Sequence, residues 1–309
     1  MRRGNPIGLN IQTATLLLSA FVLSFVVTGT RAQTTTTLTQ LQPKLEQLIV
    51  ASGADTVSIA VYDLQSKQSL HLNDKVSLHA ASTMKVPVMM ELFRQVAQQQ
   101  LSLDATITVK NEFASIVDGS PYQLTPGDDS DNLMYQKIGQ PMSVRALIKR
   151  MIVRSSNLAT NILIEKAQAQ NVMQLMRQLG ANDIQVRRGV EDTKAFRAGL
   201  NNTTTAYDLL VLLRAIAERK FVNARACDEM RDILLQQEFN EGIPALLPAG
   251  TKVAHKTGSI TKIYHDAGIV YPPKRKPYVI VVLTRGIAEE KRAHQLVAQV
   301  SHAVYQALQ

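Results

Sequence analysis

The 309-residue chain has one cysteine, Cys227. No intramolecular disulfide is possible, so packing must supply the stability. Cys227 falls in a helical pattern and reads as a buried small hydrophobe rather than a nucleophile. No apolar run after residue 32 is long enough to cross a bilayer. Nor is there a run of five or six basic residues, or an aromatic-interleaved basic face, which argues against nucleic-acid binding. The densest basic run, Lys274-Arg275-Lys276, follows Pro272-Pro273 and reads as a solvated turn. The six histidines show no metal-ligand spacing. Internal repeats are absent as well.

What is present is an ordinary globular composition, 45% hydrophobic and 19% charged. The N-terminus stands apart from it. Arg2 and Arg3 precede an apolar stretch from Ala14 to Thr28, followed by Thr30-Arg31-Ala32-Gln33. A basic start, an apolar stretch and small residues before a junction predict an export signal cut after Ala32. A retained anchor is the alternative. No cysteine lies at the junction to carry a lipid. Removing residues 1–32 takes away Arg2, Arg3 and Arg31 and no acid, lowering the net charge from +9 to +6. That charge suits solubility and attraction to an anionic envelope. The expected location is secreted or periplasmic, and the expected assembly is a monomer.

Apolar spacing predicts a first helix over 41–51, then a hairpin over 57–63 and 69–73. A helix runs from about Thr83 to Gln100, and 104–141 is polar and broken by Gly119, Pro121, Pro126 and Gly127. Helical patterns fill 143–179, 205–218 and 224–239. Strands are expected at 251–256, 267–272 and 278–284, with a closing helix over 288–308. Strands at both ends with helices between them predict an α+β fold. One antiparallel sheet with flanking N- and C-terminal helices (about 41–80 and 245–309) would face an all-helical lobe (about 81–244), with a cleft between them.

Three short motifs carry the chemistry: Ser82-Thr83-Met84-Lys85, Ser155-Ser156-Asn157 and Lys256-Thr257-Gly258. Ser82 falls where an irregular segment meets a helix, a place that favours developing negative charge. Lys85 follows one turn later on the same face. Its neighbours Ala81, Met84, Val86, Pro87, Val88 and Met89 are apolar, and a lysine in that setting needs a partner.

The order and setting of these motifs resemble the class A β-lactamase and penicillin-binding-protein superfamily. The similarity spans about Val57 to the C-terminus. The stretch Met151 to Asn161 is similar to the family's helix–turn–helix around the second motif. Asn161 matches an asparagine that braces the loop near the site, and Thr203-Thr204-Thr205-Ala206 resembles the segment after that loop. The resemblance implies an acyl-serine enzyme with no metal or organic cofactor. It makes Ser82 the nucleophile, Lys85 the acylation base and Ser155 the proton relay. Asn157, Lys256, Thr257, Gly258 and Ser259 would bind and orient substrate. The N–H groups of Ser82 and Ser259 would hold the oxyanion.

The chain departs from the family pattern in four places. Ser156 stands where class A enzymes have aspartate. The deacylating arginine-x-glutamate-x-x-leucine-asparagine pattern is replaced by Arg187-Arg188-Gly189-Val190-Glu191-Asp192-Thr193-Lys194. Glu191 is one residue too far from Arg188, and Leu200-Asn201 comes late. Glu191 is the candidate water-activating base and Asp192 the runner-up; both could equally be ordinary loop carboxylates. Residues 111–141 form a long acidic connection with Asp118, Asp128, Asp129 and Asp131, which could line the cleft rim and alter substrate choice, although a solvated insertion is the plainer reading. His265 occupies the strand position where class A enzymes often carry a carboxylate-binding arginine, and a hydrogen-bonded structural role is the other reading. His255 should point to the other face of its strand.

The function implied is hydrolysis of a β-lactam amide through acyl-Ser82. The alternatives on the same fold are a D-Ala-D-Ala peptidase or penicillin-binding protein, an esterase, or a β-lactam or peptidoglycan sensor that acylates without turnover.

Overall fold

The computed structural model describes residues 38–309. The predicted export signal lies outside them. A five-stranded sheet joins the two ends of the chain. Its strands are β1 (Thr56–Asp63), β2 (Ser69–Leu72), β3 (Lys252–Ile260), β4 (Ile263–Tyr271) and β5 (Tyr278–Arg285). They lie in the order β2-β1-β5-β4-β3, with every neighbouring pair antiparallel. β1 pairs with β5 in the register Ile59↔Val282, so the N-terminal hairpin and the C-terminal meander are one sheet, as the pattern predicts.

The central strand β5 is almost entirely apolar because both of its faces are covered. Tyr278, Ile280 and Val282 face one core, with Leu45, Leu296 and Val300 from helices α1 (Gln42–Ser52) and α9 (Glu290–Ala307). Val279, Val281 and Leu283 face the other core, shared with the helical region. Period-2 alternation thus sends successive residues to two different cores.

The helical region holds α2 (Lys85–Ala97), α3 (Val144–Val153), α4 (Asn157–Ala167), α5 (Ala169–Gln178), the short α6 (Thr193–Arg197), α7 (Ala206–Ala217) and α8 (Ala224–Leu234). The helical stretch over 143–179 breaks at Ser155 (φ 56°), in the turn expected around the second motif, and again at Gln168 (φ 61°), both with positive φ. The helix expected to reach Phe239 ends at Leu234. Beyond it, Gln237 spends its amide on the backbone of Ile152, Glu238 and Phe239. Cys227 is buried in α8, with its thiol against the carbonyl of Phe221.

Strands β3 and β4 are longer than the apolar pattern predicts, because polar residues within them are paired internally. His255 Nδ1 meets Asp266 Oδ1 at 2.9 Å, and Asp266 Oδ2 accepts from the N–H of Ile243 at 2.8 Å. Among the described residues, no helix is long and apolar enough to cross a membrane.

Candidate active site

Ser82 lies in a 3-10 turn, Ala81–Met84, that runs directly into α2. Ala81 before it is left-handed at φ 46°, an uncommon conformation for a residue with a Cβ. The bend leaves Ser82 half-buried at the floor of a groove while Thr83, Met84 and Lys85 are buried. β3 passes closely over this turn. A Cβ at Gly258 would lie 3.0 Å from the nitrogen of Ser82 and 3.1 Å from that of Thr83. Those contacts are tighter than ordinary van der Waals packing, so glycine lets the strand approach without displacing the turn.

Lys85 has no solvent-exposed surface. Its three ammonium protons have three acceptors: the carbonyl of Ser155 at 2.6 Å, Ser155 Oγ at 3.1 Å and Asn157 Oδ1 at 3.0 Å. Burial pulls its pKa down to about 7, against the opposing pull of Asp129 and Glu191. Lys256, equally buried, donates to Ser155 Oγ at 3.1 Å and to the carbonyl of Thr257 at 2.8 Å. Burial, and then the charge of Lys85, holds its pKa well below the ordinary lysine value, although Asp266 opposes this. Two amino groups therefore converge on one hydroxyl. Ser155 Oγ accepts from both, which leaves its own proton to be donated elsewhere.

The groove above these groups has a volume of ≈ 1040 Å³. Ser82, Ser155, Asn157, Thr257, Gly258 and Ser259 line one end, and it continues past Tyr264 toward Lys291 and His294 on α9.

A loop from Arg187 to Asn202 borders the site. Asn202 Oδ1 accepts from the N–H groups of Arg187 and Arg188, and its Nδ2 donates to the carbonyl of Arg188. Arg188 reaches the carbonyl of Leu200 and Asn201 Oδ1, so the late Leu-Asn pair still meets the arginine at the loop's neck. Within the loop, Asn161 Oδ1 accepts from the N–H of Val190 at 2.7 Å and its Nδ2 donates to the carbonyl of Val190 at 3.0 Å. Tyr122 joins the same clamp, accepting from Asn161 Nδ2 at 3.2 Å.

The match to known proteins decides the family. A model described as the beta-lactamase enzyme family matches residues 40–308. The chain belongs to the beta-lactamase enzyme family. Among curated members it is similar to a beta-lactamase of Bacteroides uniformis, 25% identical over 92% of this chain and 95% of that one. It is also similar to the extended-spectrum beta-lactamase PER-1 of Pseudomonas aeruginosa, 26% identical over 96% of this chain and 94% of that one. Among solved structures, PBP-A superposes with a TM-score of 0.75 and 29% identity, covering 87% of this chain and 96% of that one. A PBP-A mutant has been captured as an acyl-enzyme complex with penicillin G.

In this beta-lactamase-family chain, the three motifs anticipated from sequence meet around one groove, with Ser82, Lys85, Ser155, Asn157, Lys256, Thr257, Gly258 and Ser259 together. Glu191 lies on the bordering loop, exposed and left-handed at φ 61°. Its pKa is raised, first by desolvation and then by Asp128, while Arg188 and Lys85 oppose the shift. Asp192, the runner-up base, has its carboxylate engaged in holding the loop. It accepts from Ser115 Oγ and from the N–H groups of Ile116 and Ala195, capping α6. Burial would raise its pKa, but these bonds outweigh burial and lower it.

His265 is a correction. Its ring is buried, with Nε2 donating to the carbonyl of His79 at 2.9 Å and Nδ1 accepting from the N–H of Thr284 at 3.1 Å. Burial drives its pKa down to about 4. A neutral ring with both nitrogens engaged offers no cation to a substrate carboxylate.

The acidic connection is a second correction, because part of it is buried rather than solvated. Asp131 is ion-paired with Arg150 and Arg154, and Asp129 is bonded to the start of α4. The signal available in the sequence was the carboxylate missing from the second motif, beside a loop rich in them. Among the described residues, no group of three or more His, Cys, Asp or Glu side chains could hold a metal ion.

Proposed function

We propose that the chain is an exported serine hydrolase that opens a β-lactam amide through an ester on Ser82. The observation that carries this reading is the buried lysine pair converging on Ser155 beside Ser82. With its pKa near 7, Lys85 is neutral in an appreciable fraction of molecules at neutral pH and can take the Ser82 proton as Oγ bonds to the carbonyl carbon. The oxygen's developing charge falls to the N–H groups of Ser82 and Ser259. As the C–N bond breaks, Ser155 passes its free proton to the leaving nitrogen and recovers one from Lys85. Lys256 and Thr257 hold the substrate's carboxylate and Asn157 its amide. Glu191 then removes a proton from water as that water bonds to the ester carbon; the C–Oγ bond breaks, the product leaves as an acid, and the proton on Glu191 returns to Ser82 Oγ.

A second reading, a penicillin-binding protein that keeps its acyl group, is favoured by one observation. Asn161 fixes Val190, not Glu191, and Glu191 is exposed one residue further along. The similarity to PBP-A points the same way.

A stopped-flow and mass-spectrometric time course of residues 33–309 with a chromogenic cephalosporin separates the two readings. Steady turnover that vanishes in Ser82→Ala supports the hydrolase. One stoichiometric adduct on Ser82 supports the penicillin-binding protein. No adduct and no turnover sinks both. Export is tested by N-terminal sequencing of protein from the cell envelope, where a start at Gln33 is expected and an intact Met1 contradicts cleavage.

A further inference from the structure

The second motif lacks a carboxylate, yet one from a separate loop lies against it. Asp129 comes from the 111–141 connection and is buried. Its Oδ2 accepts from the N–H of Leu158 at 2.8 Å and lies 3.4 Å from Ser156 Oγ. Ser156 itself caps α4 by accepting from the N–H of Ala159 at 3.2 Å. The helix start is therefore capped twice, by a neutral hydroxyl from the motif and by an anion from a distant loop, and an anion is favoured there.

The grip extends to the neighbouring residue. The carbonyl of Asp128 accepts from Asn157 Nδ2 at 3.0 Å, while Asn157 Oδ1 accepts from Lys85 at 3.0 Å. Asp131 anchors the loop to the end of α3 through Arg150, at 3.0 Å from both carboxylate oxygens. These contacts link the loop to Lys85, and the Asp129 carboxylate favours the charged form of that lysine.

We propose that Asp129 is a positioning residue that supplies, from a separate loop, the carboxylate the Ser155-Ser156-Asn157 motif lacks. It fixes the turn on which Ser155 and Asn157 reach Lys85, and it biases the charge of that lysine. The part concerning acylation rests on the serine-hydrolase reading; the part concerning the charge of Lys85 does not.

The test compares wild type, Asp129→Asn, the relocated carboxylate Asp129→Asn/Ser156→Asp, and Asp118→Asn as a control on the same connection. Aspartate is as good a helix cap as serine, so the double variant keeps the cap of α4. The first readout is the titration of Lys85 by NMR in protein labelled at lysine Cε, which needs no substrate. The second is the pH profile of the acylation rate with a chromogenic cephalosporin.

In Asp129→Asn, the Lys85 midpoint and the acid limb of acylation should both move to lower pH. The plateau rate should fall about tenfold, equivalent to about 1.4 kcal/mol of barrier. The double variant should restore both, and Asp118→Asn should change neither. A wild-type Lys85 midpoint in Asp129→Asn overturns the proposal, as does a shift that Ser156→Asp does not reverse. If wild type fails to acylate, the hydrolase reading falls while the NMR titration still decides the role of Asp129.

Discussion

Asn161 holds Val190 by both its N–H and its C=O, at 2.7 and 3.0 Å. The clamp fixes the backbone one residue before Glu191 and leaves that carboxylate on a left-handed residue at the loop's edge. Gly189 is part of the same fit, because a Cβ there would come 2.4 Å from Asn161 Oδ1.

Asn161→Ala removes both bonds and the one to Tyr122; the N–H of Val190 loses its partner, while its carbonyl keeps Tyr122 Oη at 3.3 Å. The substitution should cost about 1–3 kcal/mol in denaturant unfolding. An unchanged midpoint and slope would show that the loop is held from elsewhere.

Glu191→Gln keeps the shape of the loop and removes its basic oxygen. Acylation of Ser82 should stay near the wild-type rate while release of the acyl group slows about 10²-fold or more. Because the pKa of Glu191 is raised, the acid limb of wild-type deacylation should lie above the ordinary carboxylate range. Deacylation in Glu191→Gln at the wild-type rate would remove Glu191 from the reaction.

Lys85 must be neutral to accept a proton. With its pKa near 7, acylation should rise with pH through about 7 and level off above it. Lys85→Arg stays charged and should lose about 10²–10⁴-fold in acylation rate. A wild-type profile flat between pH 5 and 9, measured by rapid-mixing acylation, would contradict Lys85 as the base.

Gly258→Ala drives a methyl group against the nitrogens of Ser82 and Thr83. It should destabilise the fold by about 1–3 kcal/mol through overpacking and slow acylation, because the strand carrying Ser259 must retreat from the N–H of Ser82, its proposed partner in the oxyanion hole. Thermal unfolding and kcat/KM measured together check this, and wild-type values of both would show that the strand can yield.

His265 titrates at about 4 in the folded protein against 6.5 for a free histidine. The unfolded chain therefore binds the extra proton between these values, and its contribution to stability is lost as pH falls from about 6.5 toward 4. His265→Asn should flatten that part of the stability–pH curve without changing the pH dependence of KM. A KM that loses a transition near neutral pH in this variant would restore His265 to the substrate site.

The linear sequence by itself determined the ends of the sheet, the helical middle and the order of Ser82, Lys85, Ser155, Asn157 and Lys256. These depend on local periodicity and on short spacings along one helix turn or one strand. It also pointed to Asn161 as the brace of a loop. Only the tertiary structure decided which residue that brace holds, because a loop's register is set by partners such as Asn202 and Tyr122 that are far away in the chain. In the same way, His265 and Asp192 look available in sequence and are consumed by backbone groups in space. Asp129 shows the converse: a carboxylate absent from a three-residue motif can be restored by a loop 27 residues away. A hydrogen bond requires proximity and direction, and sequence separation records neither.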